Sequence, residues 1–351
     1  LISNEDMHYY SATYLPPKGF PTTQFDMIVA EDIGLYKFDI LGQRGLSKIQ
    51  DAITIVANNN PKAPKIDIHD VKPFFKDEKV KTLLREGKAI GCFYVESPAM
   101  RMLLTKLKAD TYKGLVAASS IIRPGVAKSG MMREYILRFQ HPELVKERAN
   151  PILLDIMPDT FGVMVYQEDV IKVAHHFAGL TLSEADVLRR GMSGKFRSRS
   201  EFHQVQKQFF DNCLQKGYDP AETAEVWRQI ESFAGYAFSK GHSASYAVES
   251  YQSLYLKAHY PLEYMVATIN NGGGFYRPEL YIHEARMHGA VVEPPCINTS
   301  QIQTTIQGRV IYLGLGLIRD LEYEVLKMII RERANEGQFL SLQHFVGKLA
   351  I

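Results

Sequence analysis

Residues 239–274 read SKGHSASYAVESYQSLYLKAHYPLEYMVATINNGGG, and their punctuation predicts two consecutive helices. A long helix from about Ser243 to His259 must stop before Pro261, because the residue preceding a proline is pushed out of the helical region. A second runs from Leu262 to Asn270 and is closed by Asn271-Gly272-Gly273-Gly274. Upstream, Asp219-Pro220-Ala221-Glu222 combines a capping acceptor with proline at the first helical position. It opens a helix that carries the only tryptophan, Trp227, and ends near Gly235. Ser183-Glu184-Ala185-Asp186 reads as a capping box for a helix ending at Gly191. Residues 90–271 therefore read as one helical domain.

Both flanks have a different texture. Near the start, Gly19-Phe20-Pro21 is a turn, Leu35 to Leu41 alternates like a strand, and Leu46 to Val56 has helical spacing. Asn58 to Pro64 is a loop, and Pro73 to Gly87 reads as a helix followed by a short apolar stretch, Ala89 to Val95. After the glycines, Pro278 to His288 is a helix, Val291-Val292 a short strand and Thr304 to Leu317 a hairpin around Gln307-Gly308. Glu322 to Arg333 is a charged amphipathic helix. The predicted fold is mainly α with small α/β pieces at both ends, an α+β chain built on a large helical domain. Its segments are 1–64, 65–271 and 272–351.

The 351 residues allow two or three domains, and 46% hydrophobic with 23% charged residues is ordinary globular composition. No run approaches the roughly 20 apolar residues of a membrane span, and no charged-then-apolar leader precedes residue 30. Cys92, Cys213 and Cys296 stand far apart without a C-x-x-C, which argues against a disulfide framework or zinc knuckle and fits a reducing cytoplasm. Leu1 at the start and the apolar Lys348-Leu349-Ala350-Ile351 at the end suggest a chain cut from something longer. Net charge is only +2, but it is clustered. Arg101, Lys106, Lys108, Lys113, Arg123, Lys128, Arg133 and Arg138 face only Asp110 and Glu134 in their stretch. Arg189, Arg190, Lys195, Arg197, Arg199 and Lys207 face Glu201 alone. Such tracts fit either solvated helix faces or a groove for phosphates.

Several residues are candidates for chemistry. On a strand, Lys37 and Asp39 point to the same face, so a carboxylate able to hold a divalent cation would stand beside an ammonium able to meet a phosphate. A same-face salt bridge is the plainer alternative. Arg189-Arg190, in a last helical turn before Gly191, offer forked donors suited to a polyphosphate, although helix-dipole compensation also puts cations there. Ser239-Lys240-Gly241-His242-Ser243 precedes a long helix whose amides and positive dipole end favour anions; the plainer reading is an N-cap with a surface histidine. Tyr236, Tyr246, Tyr251 and Tyr255 surround that element and read first as core, second as stacking surfaces. His175-His176 lacks an acidic partner for a metal. Ile66-Asp67-Ile68-His69-Asp70 resembles an acidic metal-binding strand but follows a proline-rich loop and lacks a basic neighbour.

Six motifs occur together in a fixed order: Lys37-Phe38-Asp39-Ile40-Leu41-Gly42; Gly91-Cys92-Phe93-Tyr94-Val95-Glu96-Ser97; Arg123-Pro124-Gly125; Val165-Tyr166-Gln167-Glu168; Glu184 through Met192; and Phe233 through Ser243. Over nearly the whole chain this resembles the C-family polymerases, the bacterial DNA polymerase III alpha subunits. The resemblance implies the distal palm (1–64), the helical fingers (65–271) and the start of the duplex-binding region (272–351). It implies a DNA-directed DNA polymerase, a nucleotidyltransferase, in the full-length parent.

By position in those motifs, Asp39 matches a catalytic, metal-binding carboxylate. Lys37, Arg189, Arg190 and Lys240 match residues that hold the dNTP triphosphate, and His242 stands beside the nascent pair and its sugar. Arg123, Lys128, Lys195 and Arg197 are the expected contacts to the DNA backbone. Mg2+ is the implied cofactor, in a two-metal site completed by carboxylates outside this chain, so the fragment alone is not expected to polymerise. Primer-template, dNTP, a sliding clamp and other replisome or repair subunits are the implied partners.

The family's helix-hairpin-helix corresponds here to Gly314-Leu315-Gly316-Leu317-Ile318-Arg319-Asp320-Leu321-Glu322-Tyr323. Its second glycine pair is replaced by acidic and bulky residues, which puts phosphate contact there in question. Gly274 to Pro278 with Glu284 to Gly289 looks more like the error-prone, damage-associated branch. A non-catalytic nucleic-acid-binding module or degenerate paralogue is the competing reading, favoured by the near-zero net charge and the altered hairpin.

Overall fold

The computed structural model describes residues 2–38, 40, 42–122, 130–192, 199–232, 239–272 and 274–349, without the side chains at 28, 192 and 199. It divides into two compact units, 1–43 and 44–351. The first holds helical turns α1 (Met7–Tyr10) and α2 (Met27–Asp32) and the antiparallel pair β1 (Thr13–Tyr14) and β2 (Thr22–Thr23). The strand expected over 35–41 is not formed in the described residues. Only Tyr36 pairs there, through an isolated antiparallel bridge to Ile2. Alternation alone does not make a strand when no second run lies alongside to take its hydrogen bonds.

The second unit begins with α3 (Arg44–Asn59), so residues 44–59 pack with the helices that follow them. The segment expected as one helix after Pro73 is two, α4 (Lys72–Lys76) and α5 (Glu78–Arg85). Asp77 lies between them in an extended conformation and caps α5 by accepting from the Val80 amide at 3.0 Å. The chain continues with α6 (Pro98–Leu107), α7 (Tyr112–Ile121), α8 (Met131–Gln140), α9 (Val145–Arg148), α10 (Pro151–Ile156) and α11 (Gln167–Lys172). Beyond α11 come α12 (Leu182–Met192), α13 (Arg199–Gln215), α14 (Pro220–Glu231), α15 (Lys240–His259), α16 (Pro261–Asn271) and α17 (Pro278–Met287).

A small sheet follows, with β3 (Val291–Glu293) parallel to β5 (Val310–Tyr312) and β4 (Thr305–Gln307) antiparallel to β5. Helices α18 (Tyr323–Glu336) and α19 (Leu342–Leu349) close the described chain around their own apolar cluster of Leu315, Leu326, Ile329, Phe339 and Leu349. The mainly helical class with small sheets is what the sequence predicted.

Helix α15 is the axis of the second unit. It packs against α3, α4, α5, α7 and α16, so most of its circumference is covered. A helix surrounded this way needs small residues where neighbours come close and partners for each polar group it buries. Ser243, Ser250 and Tyr251 supply both. Ser243 Oγ lies 2.6 Å from Ser120 Oγ of α7, and Ser250 Oγ donates to the Phe93 carbonyl at 3.1 Å. Tyr251 Oη donates to the Asp110 carbonyl at 3.3 Å. Near the C-terminal end, the buried Lys257 Nζ donates to the Ile90 carbonyl at 2.7 Å and to Glu284 Oε1 at 2.8 Å, joining α15 to α17.

Residues 89–96 form a succession of turns. The buried carboxylate of Glu96 accepts from the Gly91 amide at 2.8 Å, the Phe275 amide at 2.6 Å and Tyr281 Oη at 3.1 Å. It thereby ties the 91–97 motif to the segment entering α17, and this explains a carboxylate in an otherwise apolar motif.

Glu249 on α15 is the uncompensated acid of this core. Its Oε1 has no hydrogen-bond partner among the described residues, and Gly45 of α3 lies so close that any β-carbon there would collide with it. Burial pushes its carboxyl up to about 7 against the opposing pull of Lys48. A group whose folded pKa is raised contributes stability that is present below its unfolded value of 4.5 and is lost as pH rises through about 7. Thermal unfolding of Glu249→Gln should therefore depend less on pH than wild type across that window. Identical profiles for the two proteins would remove Glu249 as the cause.

Candidate functional site

The helix expected from Ser243 starts one turn earlier. Ser239 is its N-cap, accepting from the His242 amide at 3.2 Å, so Lys240, Gly241 and His242 form the first turn of α15 rather than a loop before it. The sequence reading placed open amides here. The Lys240 amide instead donates to both oxygens of Glu168, at 3.0 and 2.9 Å. Lys240 Nζ stands 5.3 Å from the centre of the Tyr166 ring and 3.7 Å from Asp159 Oδ2. Asp159 also takes Lys113 Nζ of α7 at 3.3 Å. Residues from four places in the chain thus meet at the start of α15. The His242 ring packs on Tyr246 at 4.0 Å between centroids, and Tyr246 in turn meets Phe93 and Tyr94 edge-on at 5.1 and 5.0 Å. Tyr251, by contrast, is core, while Tyr236 lies outside the described residues.

Arg189 and Arg190 lie in the last turn of α12, which packs against α11. The capping box of α12 is Thr181-Leu182-Ser183-Glu184, two residues before the predicted one. Glu184 Oε2 accepts from the Thr181 amide and hydroxyl at 2.8 Å each, and Thr181 Oγ1 accepts from the Glu184 amide at 3.3 Å. This frees Asp186 for a different task. Its carboxylate holds Arg189 at 2.8 Å and Arg190 at 3.0 Å, at the three- and four-residue spacings that face each other on a helix. Both guanidiniums are half-buried and share one counter-ion, which pre-positions them side by side.

The basic tracts resolve into distinct parts. Arg101 donates to Tyr276 Oη at 2.9 Å, and the buried Arg138 donates to the carbonyls of Phe161 and Arg148 at 2.8 and 3.0 Å, so both are structural ties. Lys106, Lys108, Arg133 and Lys207 are exposed. Arg123, Lys128, Lys195 and Arg197 lie outside the described residues, as does Asp39. Lys37 belongs to the first unit and is exposed. Asp67 is not on a strand; its Oδ1 accepts from the His69 amide at 3.0 Å in a bend. Among the described residues, no group of three or more His, Cys, Asp or Glu side chains is gathered as a metal would require.

In the C-terminal hairpin, the amides of 314–318 are all used internally. Gly314 donates to Thr304 Oγ1, Leu315 to the Gln301 carbonyl and Gly316 to the Ile302 carbonyl, at 3.1, 2.8 and 2.9 Å. Leu317 and Ile318 bond back to Gly314 and Leu315. Gly314 has no room for a β-carbon, which would meet the Ile302 carbonyl oxygen at 2.4 Å. Asp320 adopts a left-handed conformation with φ of 60°, a position that glycine occupies with less strain.

The sequence does not single out Asp159, and it marks Lys113 only as a member of a basic tract. Glu168 had been singled out only within a motif, and nothing local marks a carboxylate whose partner is 72 residues away.

The family model for the bacterial DNA polymerase III alpha subunit finger domain matches residues 45–217, and a helix-hairpin-helix model matches 289–351. The chain is 34% identical over 336 residues to DNA polymerase III subunit alpha of Aquifex aeolicus (strain VF5), covering 95% of this chain and 28% of that relative. It is 33% identical over 362 residues to the subunit of Borreliella burgdorferi, covering 99% of this chain and 30% of the relative. With the Staphylococcus aureus (strain MRSA252) subunit it shares 34% over 350 residues, covering 99% of this chain and 32% of that one. The chain thus spans about three tenths of the length of the curated relatives it matches. These likenesses extend over nearly the whole chain, and the chain belongs to the bacterial DNA polymerase III alpha-subunit family.

Proposed function

We propose that this chain is the part of a template-directed DNA polymerase that receives the incoming dNTP and contacts the primer-template. In the reaction, the primer 3′-hydroxyl attacks the α-phosphate and pyrophosphate leaves. The observation that carries this reading is similarity to subunit alpha over 95–99% of the chain. On this reading 1–64 is distal palm, 65–271 the fingers and 272–351 the start of the duplex-binding region.

Arg189, Arg190 and Lys240, with Lys37, hold the triphosphate. Two arginines fixed side by side by Asp186 present forked donors at low entropic cost, and the first amides of α15 add the positive end of a 20-residue helix. His242, packed on Tyr246, stands beside the sugar. Arg123, Lys128, Lys195 and Arg197 meet the DNA backbone. Asp39 is a hard oxygen donor of the kind Mg2+ takes, but one carboxylate cannot hold two ions, and the rest of that site belongs to carboxylates outside this chain. When bound, Mg2+ would lower the charge barrier to attack on the phosphate. The sliding clamp and other replisome or repair subunits are partners of the full-length protein, and the compartment is the cytoplasm.

Assignment to the error-prone branch rests on residues 274–278 and 284–289 alone, whereas the relatives above are all designated subunit alpha. The alternative, a non-catalytic nucleic-acid-binding module or degenerate polymerase paralogue, draws on the altered hairpin, in which the amides of 314–318 are spent and Asp320 stands in a left-handed position.

Steady-state primer extension by the full-length protein containing this chain tests the assignment. Arg189→Ala/Arg190→Ala should raise KM for dNTP about 10- to 100-fold, the worth of one to two charge-assisted hydrogen bonds. Unchanged nucleotide kinetics would reduce both arginines to helix-end charges held by Asp186.

A further inference from the structure

Four charged groups meet where Lys240 opens α15, and they cancel: Lys113 and Lys240 against Asp159 and Glu168. A triphosphate that reached Lys240 would find its cation engaged and the first amide of the helix covered by a carboxylate. Two anions cannot share that amide. We propose that Glu168 is an intramolecular competitor for the incoming nucleotide: its carboxylate occupies the phosphate position at the start of α15 and is displaced when the triphosphate binds.

The inference rests on the reading of Lys240 as a triphosphate ligand, and the geometry supports displacement rather than a permanent tie. Both oxygens of Glu168 converge on one N–H, at 3.0 and 2.9 Å, the approach a phosphate makes at a helix N-terminus. Glu168 also has somewhere else to go. It is the second residue of α11, where that helix's own dipole favours an acid, and Asp169 already serves the Val165 and Tyr166 amides at 2.9 Å each. Release of Glu168 therefore leaves the α11 start capped. Asp159 acts on the same cation from an exposed turn, so it opposes phosphate at Lys240 through charge alone.

A competitor built into the site lowers apparent affinity by the fraction of molecules in which it is engaged. Removing its charge while keeping its shape should improve nucleotide binding, the reverse of what loss of a structural contact does. In primer extension by the full-length protein, Glu168→Gln should lower KM for dNTP about three- to tenfold at unchanged kcat. Asp159→Asn should lower it in the same direction. Lys240→Ala, measured alongside, should raise KM.

An unchanged or raised KM in both Glu168→Gln and Asp159→Asn, with Lys240→Ala still raising it, overturns the competitor and leaves the triphosphate reading standing. An unchanged KM in Lys240→Ala overturns both. Should Glu168→Gln prove unstable, Asp159→Asn decides, because its side chain is exposed and caps no helix.

Discussion

Asp39→Asn in the full-length protein containing this chain should cut primer extension about a thousandfold, a loss of roughly 4 kcal/mol of transition-state stabilisation. Asp67→Asn should leave it unchanged. The two aspartates separate on chemistry. Asn keeps the shape of Asp and loses the charge that makes it a ligand for a hard cation, so a metal-holding Asp39 cannot tolerate the change. Asp67, in contrast, accepts one backbone hydrogen bond from His69 in a surface bend, a task asparagine performs equally well. Steady-state extension in Mg2+ measures both. Normal extension by Asp39→Asn, or no extension by the wild type, would sink the polymerase assignment and favour the DNA-binding alternative.

The second large effect concerns stability. Lys257→Ala should destabilise the second unit by about 3–5 kcal/mol, because it removes one partner of a buried ion pair. Lys257 is 1% exposed and Glu284 17%. Without the ammonium, the Ile90 carbonyl loses its partner and the Glu284 carboxylate keeps only His288 Nε2 at 3.5 Å among the described residues. Lys257→Met/Glu284→Gln, which removes the charges and keeps the volume, should cost clearly less than the single alanine change. Urea unfolding reads both values. A cost below about 1 kcal/mol for Lys257→Ala would mean that the pair is better hydrated than its burial indicates.

The candidate residues divide along the same line as these predictions. Arg189, Arg190, Lys240 and His242 stand out in the sequence as candidates because each lies within a motif of a few residues whose type and spacing suit an anion. The company they keep was not. Asp186 was assigned to a capping box two residues out of register, when Thr181 and Glu184 perform that task and Asp186 holds both arginines. Phosphate-ready amides were expected before α15, and Glu168 turned out to cover the first of them. In both cases the local grammar allowed more than one partner, and packing chose.

By itself, the sequence determined several helix ends, since caps, prolines and glycines act within four residues of themselves: Asp219 and Pro220 for the start of α14, Pro261 for the break between α15 and α16, and Asn271-Gly272 for the end of α16. It also determined the family, through the order of six motifs. Only the tertiary structure decided which distant groups meet: Lys257 with Ile90 and Glu284, Glu96 with Phe275 and Tyr281, β3 beside β5, and Glu168 on the amide of Lys240. Such contacts depend on loop closure and on which polar groups packing leaves without water, and neither is written in the spacing of any one segment.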